Sequence, residues 1–311
     1  MASTITILDC DFGDGEIERE VLEPLGYRVV LGHAASESDV IKIAAGSSGL
    51  ITQYAPVTRT VLESSPEVRA VVRYGVGLDC IDTVAARELG VSISGVNEYC
   101  TDEVADHAMA LLLTAIRSIH VSDRQIKAGN WPVPSDLPVM ETLHGQTLGL
   151  IGFGHIAQGV ALRAQAFGCQ VASHDPFVEP LAMRAQGVEA GTFVEVIRSS
   201  IVSLHLPANP QTERIINATT LQEMSRGSIL MNVSRGALID EAALLYALDT
   251  GHIAYACLDV FDDEGPGRSP LASHARVIAT PHSGYYSPRS LGELRRRAAA
   301  NLATLLQESA A

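Results

Sequence analysis

The stretch Gln146–Asp175, QTLGLIGFGHIAQGVALRAQAFGCQVASHD, decides the fold. Thr147 to Ile151 is a short apolar run of β character, broken by Gly152 and Gly154. Ile156, Ala157, Val160, Ala161, Ala164 and Phe167 follow at helical spacing, and Gly168 is a helix stop. Gln170 to Ser173 forms the next strand, with Asp175 just past its end. Strand, tight turn, helix and strand in that order predict a βαβ unit. Gly152 permits the turn. Gly154 lets the backbone approach a pyrophosphate, and the helix start offers unpaired N–H groups at the positive end of its dipole. Ala157 takes the third small-residue position of the G-x-G-x-x-G/A pattern. Asp175 stands roughly 20 residues beyond the glycines, where an acid accepts from a ribose 2′-hydroxyl and repels a 2′-phosphate. The pattern points to NAD (NADH) rather than NADP, the alternative being an ordinary βαβ turn in a parallel sheet.

N-terminal to this stretch the same alternation runs at smaller scale. Strands are expected at Ile5–Leu8, Tyr27–Leu31, Gly49–Thr52, Val68–Tyr74 and Val91–Ile93. Helices are expected at Glu16–Leu25, Asp39–Ala45, Val57–Glu63 and Ile81–Leu89. Alternating β and α elements imply a parallel sheet with helices on both faces, an α/β domain of about 95 residues. Thr101 to Ala128 reads as one long helix with Thr101 as N-cap and Asp102 and Glu103 in its first turn. It is apolar over most of its circumference and so is expected to be buried.

Beyond Asp175 strands are expected at Ile201–Leu206, Ile229–Val233, Ala256–Val260 and Val277–Thr280. Leu221–Met224 reads as helical, and Asp240 caps a helix running to Leu248. A last helix, Pro288 to Leu306, is expected to cross back to the first domain.

The 311 residues suit two domains, and the 47% hydrophobic and 19% charged content suits a globular enzyme. A net charge of −14 argues against nucleic acid as a partner. The one basic run, Arg295-Arg296-Arg297, is expected to be a solvated helix face. Cys10, Cys80, Cys100, Cys169 and Cys257 lack C-x-x-C or metal-type spacing, so no metal site is expected and free thiols in a cytoplasmic setting are. No signal peptide or membrane-spanning run is expected.

Three polar groups stand just past expected strand ends: Arg235, Glu264 and His282. In an open parallel sheet ligands bind outside those ends. Hydride transfer to a ketone creates an alkoxide that needs a proton, and histidine supplies one near neutrality. A carboxylate beside the imidazole fixes its tautomer, and an arginine grips a substrate carboxylate with two parallel hydrogen bonds. The bland alternatives are a structural loop arginine, a solvated acidic loop and a turn histidine.

The stretches LGLIGFGHIAQGVALRAQAFG, MNVSRGALIDEAALLYAL, ACLDVFDDEG and ATPHSGYYS resemble the D-isomer-specific 2-hydroxyacid dehydrogenase family. QYAPVT, VVRYGVGLDCID and YCTDEVADHAMALLL in the first part are most similar to its C-terminal-binding-protein-like branch. The resemblance implies two Rossmann-like α/β parallel-sheet domains. The NAD-binding Rossmann domain, 99–288, is inserted into a flavodoxin-like substrate domain, 1–98 plus 289–311. It implies Arg235 as the substrate-binding arginine, Glu264 as the partner carboxylate and His282 as the acid/base. The Val76 and Gly77 amides and Tyr54 are implied for substrate. Beside Gly152 and Gly154, the residues His155, Ile156, Asp175, Leu206, Pro207, Thr212, Val233, Ser234 and Asp259 are implied for the cofactor, Asp259 toward the nicotinamide carboxamide.

The implied partners are a small 2-keto or 2-hydroxy acid and a second copy of the chain in a homodimer, with the Thr101 helix and the loop after it in the interface. Two other activities fit the same scaffold: an NAD(H)-responsive co-repressor-like binding protein, and oxidation of a non-carbon acid such as phosphite. The chain departs from the family at four positions. His155 stands where Arg or Lys is common, Cys80 where Asn is usual, Glu98 near a usual Pro, and Gly265 in place of Pro.

Overall fold

The computed structural model describes residues 3–309. These form two compact units: the stretch up to Tyr99 together with that from Ser287 onward, and Cys100–Tyr286.

The first unit runs β1 (Thr4–Ile7), α1 (Glu16–Leu22), β2 (Arg28–Leu31), α2 (Glu37–Ala44), β3 (Ser47–Thr52), α3 (Arg59–Ser64), β4 (Ala70–Arg73), α4 (Thr83–Glu88) and β5 (Ser92–Ser94). Its strands pair in parallel in the flavodoxin-like order β2-β1-β3-β4-β5. Ile5, Ile7, Leu50, Ile51, Val71 and Val72 are all fully buried, because a parallel sheet with covered faces takes continuous apolar strands. Ser36, Thr58 and Asp82 start α2, α3 and α4 by accepting from the amides of Asp39, Val61 and Ala85. The helix expected to Leu25 ends at Leu22, and Glu23–Leu25 tightens into a 3₁₀ turn around Pro24, which has no N–H to continue the ladder.

The second unit runs α5 (Thr101–Ile116), α6 (Ile119–Lys127), β6 (Thr147–Ile151), α7 (His155–Ala166), β7 (Gln170–His174), α8 (Pro180–Arg184), β8 (Glu189–Ala190), α9 (Phe193–Ile197), β9 (Ile201–Leu204), α10 (Ala218–Glu223), β10 (Ser228–Asn232), α11 (Glu241–Asp249), β11 (Ile253–Leu258) and β12 (Val277–Ala279). Its sheet has seven parallel strands in the order β12-β11-β10-β9-β6-β7-β8. From β6 the chain first steps outward to β7 and β8, then returns to β9 on the other side of β6. The switch point of this doubly wound sheet therefore lies between β6 and β9. Finally α12 (Pro288–Glu308) returns to the first unit and packs on α1, β3 and β4. The Leu302 and Leu306 methyls approach β3 so closely that a β-carbon on Gly49 would stand 3.1–3.3 Å from them.

Three further expectations need correction. The single helix over Thr101–Ala128 is two helices bent by 67°. The break is Ser118, whose backbone is left-handed at φ 46° and whose buried hydroxyl has no partner among the described residues. Thr101 is the first helical residue rather than the cap, which falls on Cys100. The burial of α5 is as expected, with eight apolar residues from Val104 to Ile116 out of solvent. Among the described residues no single helix is long and apolar enough to cross a membrane.

The basic run is also not a uniformly solvated face. Arg296 and Arg297 reach solvent and pair with Glu293. Arg295 is only 7% exposed. Its Nε and Nη2 donate to the two oxygens of the fully buried Glu18 at 2.8 and 2.7 Å, and the Tyr74 hydroxyl donates to Glu18 Oε1 at 2.7 Å. The reason is geometric. Three consecutive helical residues fan over about 200°, and Arg295 falls on the same stripe as Leu294, Ala298 and Leu302, which α12 buries.

Candidate active site

The glycine turn sits at the switch point. Gly152 has φ 96°, and a β-carbon there would lie 2.3 Å from the His205 carbonyl oxygen. The His205 amide in turn donates to Ile151 O at 2.8 Å, drawing the start of the β9 loop against the turn. Gly154 is the N-cap of α7, and nothing lies within 4 Å of where its β-carbon would be. Gly152 is thus required by the protein itself, whereas Gly154 leaves open space in front of a helix start, as close approach of a pyrophosphate needs. His155 is exposed on the first turn, Ile156 is half-buried, and Ala157 is fully buried under the helix.

Asp175 Oδ2 accepts from the Phe153 amide at 2.8 Å and Oδ1 from the Phe177 amide at 2.9 Å. The carboxylate so braces the glycine turn, and each oxygen keeps a lone pair for a ribose hydroxyl. The flanking loops are ordered by their own bonds. The Thr212 hydroxyl donates to Pro207 O at 2.7 Å, Leu206 packs on the core, and Ser234 Oγ donates to Leu204 O at 2.8 Å beside the buried Val233. An open helix start, an obligatory glycine and an acid in reach of both make a set that fits NAD. His205 itself stays neutral: burial of its ring pushes the pKa down to about 4.

The chemical groups gather along β10, β11 and β12, which are neighbours in the sheet. Arg235 lies three residues beyond β10, where Asn232 Nδ2 donates to its carbonyl at 2.7 Å and its Nη1 donates to Ser234 O at 2.7 Å. Next to it, Gly236 passes against the segment after β11. A β-carbon there would fall 1.9 Å from the Phe261 carbonyl carbon. That segment carries Glu264 and is tied down by Glu241, which accepts from the Asp262 amide at 2.9 Å and from Ser269 Oγ at 2.6 Å. Gly265 has φ 148°, which a proline ring fixed near −65° does not reach. The departure from the family's proline is therefore built into this loop.

His282 Nδ1 lies 3.0 Å from both Glu264 oxygens. With Nδ1–H given to Glu264, Nε2 is left as the proton-carrying atom. The His282 backbone is left-handed at φ 52°, an arrangement costing roughly 1–3 kcal/mol that persists only where surroundings impose it. Here Asp259 imposes it. The His282 amide donates to Asp259 O at 2.8 Å, and the Ser283 and Gly284 amides donate to the Asp259 carboxylate at 2.9 Å each. Thr280 Oγ1 donates to Asp259 Oδ1 at 2.5 Å, and His107 Nε2 stands 2.9 Å from that hydroxyl. Burial opposes ionisation of Asp259, but hydrogen bonds from His107, Thr280 and the two amides outweigh it and hold the carboxyl below its ordinary range. Asp259 is 2% exposed, and what the structure shows of it is this internal role.

Thr280, Gly284 and His107 did not stand out in the sequence. The one signal for His107 is a histidine at the head of the apolar run Ala108–Leu113 in α5.

Tyr54, Val76 and Gly77 belong to the first unit, past the carboxyl ends of β3 and β4. Asp9 accepts from the amides of Gln53, Tyr54 and Ala55 at 2.8, 2.6 and 3.0 Å and leaves the Tyr54 ring exposed. Gly75, at φ 129°, turns the chain into Val76. Glu98 is left-handed at φ 61°. The five cysteines are free thiols, and burial pushes Cys257 up to about 12.

These features define a dinucleotide-binding α/β protein with an acid-backed histidine at its sheet edge. Residues 109–284 match the family model for the D-isomer specific 2-hydroxyacid dehydrogenase, NAD binding domain. The chain belongs to that family, and its second unit is an NAD-binding domain. It is 40% identical over 253 residues to the chloroplastic D-3-phosphoglycerate dehydrogenase 2 of Arabidopsis thaliana, covering 80% of this chain and 40% of that one. It is 35% identical over 267 residues to D-3-phosphoglycerate dehydrogenase of Methanocaldococcus jannaschii, covering 85% and 51%. The chain thus spans about half the length of these relatives or less.

Among solved structures it is similar to a glyoxylate reductase from Paecilomyes thermophila, with 28% identity, 99% and 97% of the chains covered and a TM-score of 0.90. It is also similar to D-lactate dehydrogenase from Aquifex aeolicus complexed with NAD and lactic acid, with 25% identity, 98% and 97% covered and a TM-score of 0.88.

Proposed function

We propose that the chain is an NAD-dependent dehydrogenase interconverting a 2-keto acid and an (R)-2-hydroxy acid. The observation that carries the reading is the His282–Glu264 pair at 3.0 Å, one strand end away from Arg235. In the reducing direction NADH supplies the hydride to the carbonyl carbon. His282 gives its Nε2 proton to the oxygen that becomes the hydroxyl, and Glu264 stabilises the imidazolium that precedes the transfer. Arg235 holds the substrate carboxylate by a bidentate contact. Tyr54, Val76 and Gly77 are assigned as further substrate groups. His155, Ile156, Asp175, Leu206, Pro207, Thr212, Val233, Ser234 and Asp259 are assigned to the cofactor's surroundings.

The names of the relatives support acids of this class, with phosphoglycerate, glyoxylate and lactate as the candidates. Placement in the C-terminal-binding-protein-like branch rests on the first-unit motifs quoted above. A homodimer is supported by exposed apolar residues on and after α6: Ile119, Ile126, Trp131, Val133 and Val139. A reducing, cytoplasmic setting is supported by the free thiols.

The test follows NADH absorbance with glyoxylate, pyruvate and the keto acid of 3-phosphoglycerate. Turnover of at least one is expected. His282→Ala should keep NADH binding within about twofold and lose at least about 100-fold in turnover. No turnover on any acid by a cofactor-bound wild type overturns the proposal, as does equal loss of binding and turnover in the variant.

A further inference from the structure

We propose that His107, on α5, is a positioning residue for His282, an inference that rests on the acid/base role just assigned. The link is a chain of short bonds within the second unit. Thr280 Oγ1 lies 2.5 Å from Asp259 Oδ1 and 2.9 Å from His107 Nε2. A hydroxyl has one proton, and the ionised carboxylate takes it. His107 is therefore the donor through Nε2–H, and this nitrogen also stands 3.4 Å from Asp259 Oδ1. Asp259 also accepts from the Ser283 amide at Oδ1 and the Gly284 amide at Oδ2, and its backbone carbonyl accepts from the His282 amide.

Packing supports the same assembly at Gly284. A β-carbon on Gly284 would lie 2.9 Å from Asp259 Oδ2 and 3.2 Å from His107 Cδ2. The imidazole of His107 thus lies against the backbone just two residues past His282. The left-handed His282 is held by its amide's bond to the Asp259 carbonyl, and the turn after it is held by the Asp259 carboxylate with the His107 ring packed beside it. The consequence concerns the aim of the catalytic imidazole. With the donor gone, Thr280 and Asp259 each lose a polar partner and the 280–284 turn is less firmly tied to α5, so that His282 drifts from its bidentate station on Glu264. A displacement near 1 Å at a reacting group costs on the order of 100-fold in rate. Cofactor contacts at the glycine turn lie on other strands, and Asp259, assigned to the cofactor's surroundings, keeps its bonds from Thr280, Ser283 and Gly284.

The experiment compares His107→Phe, which keeps the ring and removes the donor, with His107→Gln, whose amide nitrogen reaches the place of Nε2. For Phe, kcat should fall about 10- to 100-fold while KM for NADH stays within about threefold. Gln should recover kcat to within about threefold of wild type. In parallel, the His282 ring resonance, identified by its loss in His282→Ala, should move in the Phe variant and return in the Gln variant. Thr280→Val, which cuts the same link one atom further on, serves where His107→Phe does not fold.

Wild-type kcat with an unmoved resonance in the Phe variant overturns the inference, and so does a Gln variant as impaired as Phe. Failure of the parent reading is separate: wild-type protein then turns over no keto acid. The resonance comparison still decides whether His107 positions His282.

Discussion

Removing Arg295 should unfold the first unit at markedly lower urea than wild type. Glu18 is fully buried and its carboxylate takes two hydrogen bonds from Arg295 and one from Tyr74. Arg295→Met preserves much of the side-chain volume and leaves the carboxylate with Tyr74 alone. Two charge-assisted bonds at about 1.5–3 kcal/mol each give about 3–6 kcal/mol. Stripping one partner from a buried ion pair costs about 3–5 kcal/mol, so the two routes agree near 4 kcal/mol. With a urea slope of about 2 kcal/mol/M, the midpoint drops by about 2 M. Circular dichroism follows the transition, and amide hydrogen exchange on β3 and β4 localises it to this unit. The triple change Glu18→Leu, Tyr74→Phe, Arg295→Met removes the whole polar set and should recover at least half the loss, because desolvation is then no longer incurred. A midpoint shift below about 0.5 M for Arg295→Met, at unchanged slope, refutes the reasoning: the pair would then be water-supported after all.

Gly236→Ala has no room at its β-carbon, 1.9 Å from the Phe261 backbone, and should push the Glu264 segment away; turnover falls at least about tenfold and stability by a few kcal/mol. Steady-state rates at saturating NADH together with a urea titration check this, and a variant with wild-type rates contradicts it. His205 gives a pH prediction. Its folded pKa is depressed to about 4, while the unfolded chain takes up the proton near 6.5. The unfolded state thus binds more protons between those values, and stability falls as pH drops from about 6.5 toward 4, by up to about 1.4 kcal/mol per pH unit. His205→Gln should flatten that fall between pH 7.5 and 5, and parallel stability curves for the two proteins would rule the assignment out.

What the sequence revealed followed from local rules. The β-branched and leucine runs of β6, β9 and β10 and the glycine stops after α7 and α11 carry their periodicity in a few residues, so the alternation of strands and helices was readable, whereas the order of strands in each sheet came from the structure. Asp240 caps α11 through the Ala243 amide as its residue type requires. The short α8, β8 and α9, two to five residues each, carry too few positions for a period and were not seen. The bend at Ser118 carries no glycine or proline; tertiary packing holds an ordinary serine in a left-handed backbone.

The site divides the same way. Glu264 and His282 were legible as polar groups past strand ends, and the structure brings them into contact. Burial of Arg295 and the link from His107 to Asp259 join residues more than 150 positions apart, and no local pattern encodes such pairings.

The path of the backbone has a consequence for biogenesis. α12 supplies the cover for α1, β3 and β4, yet it is synthesised only after the whole inserted unit. The inserted Cys100–Tyr286 unit has all its strands in hand before that moment and is free to close while still tethered to the translating ribosome. The sheet of the first unit, although synthesised before the inserted unit, waits with one flank bare until Leu302 and Leu306 emerge. During that interval it is the natural client of a chaperone that shields apolar surface.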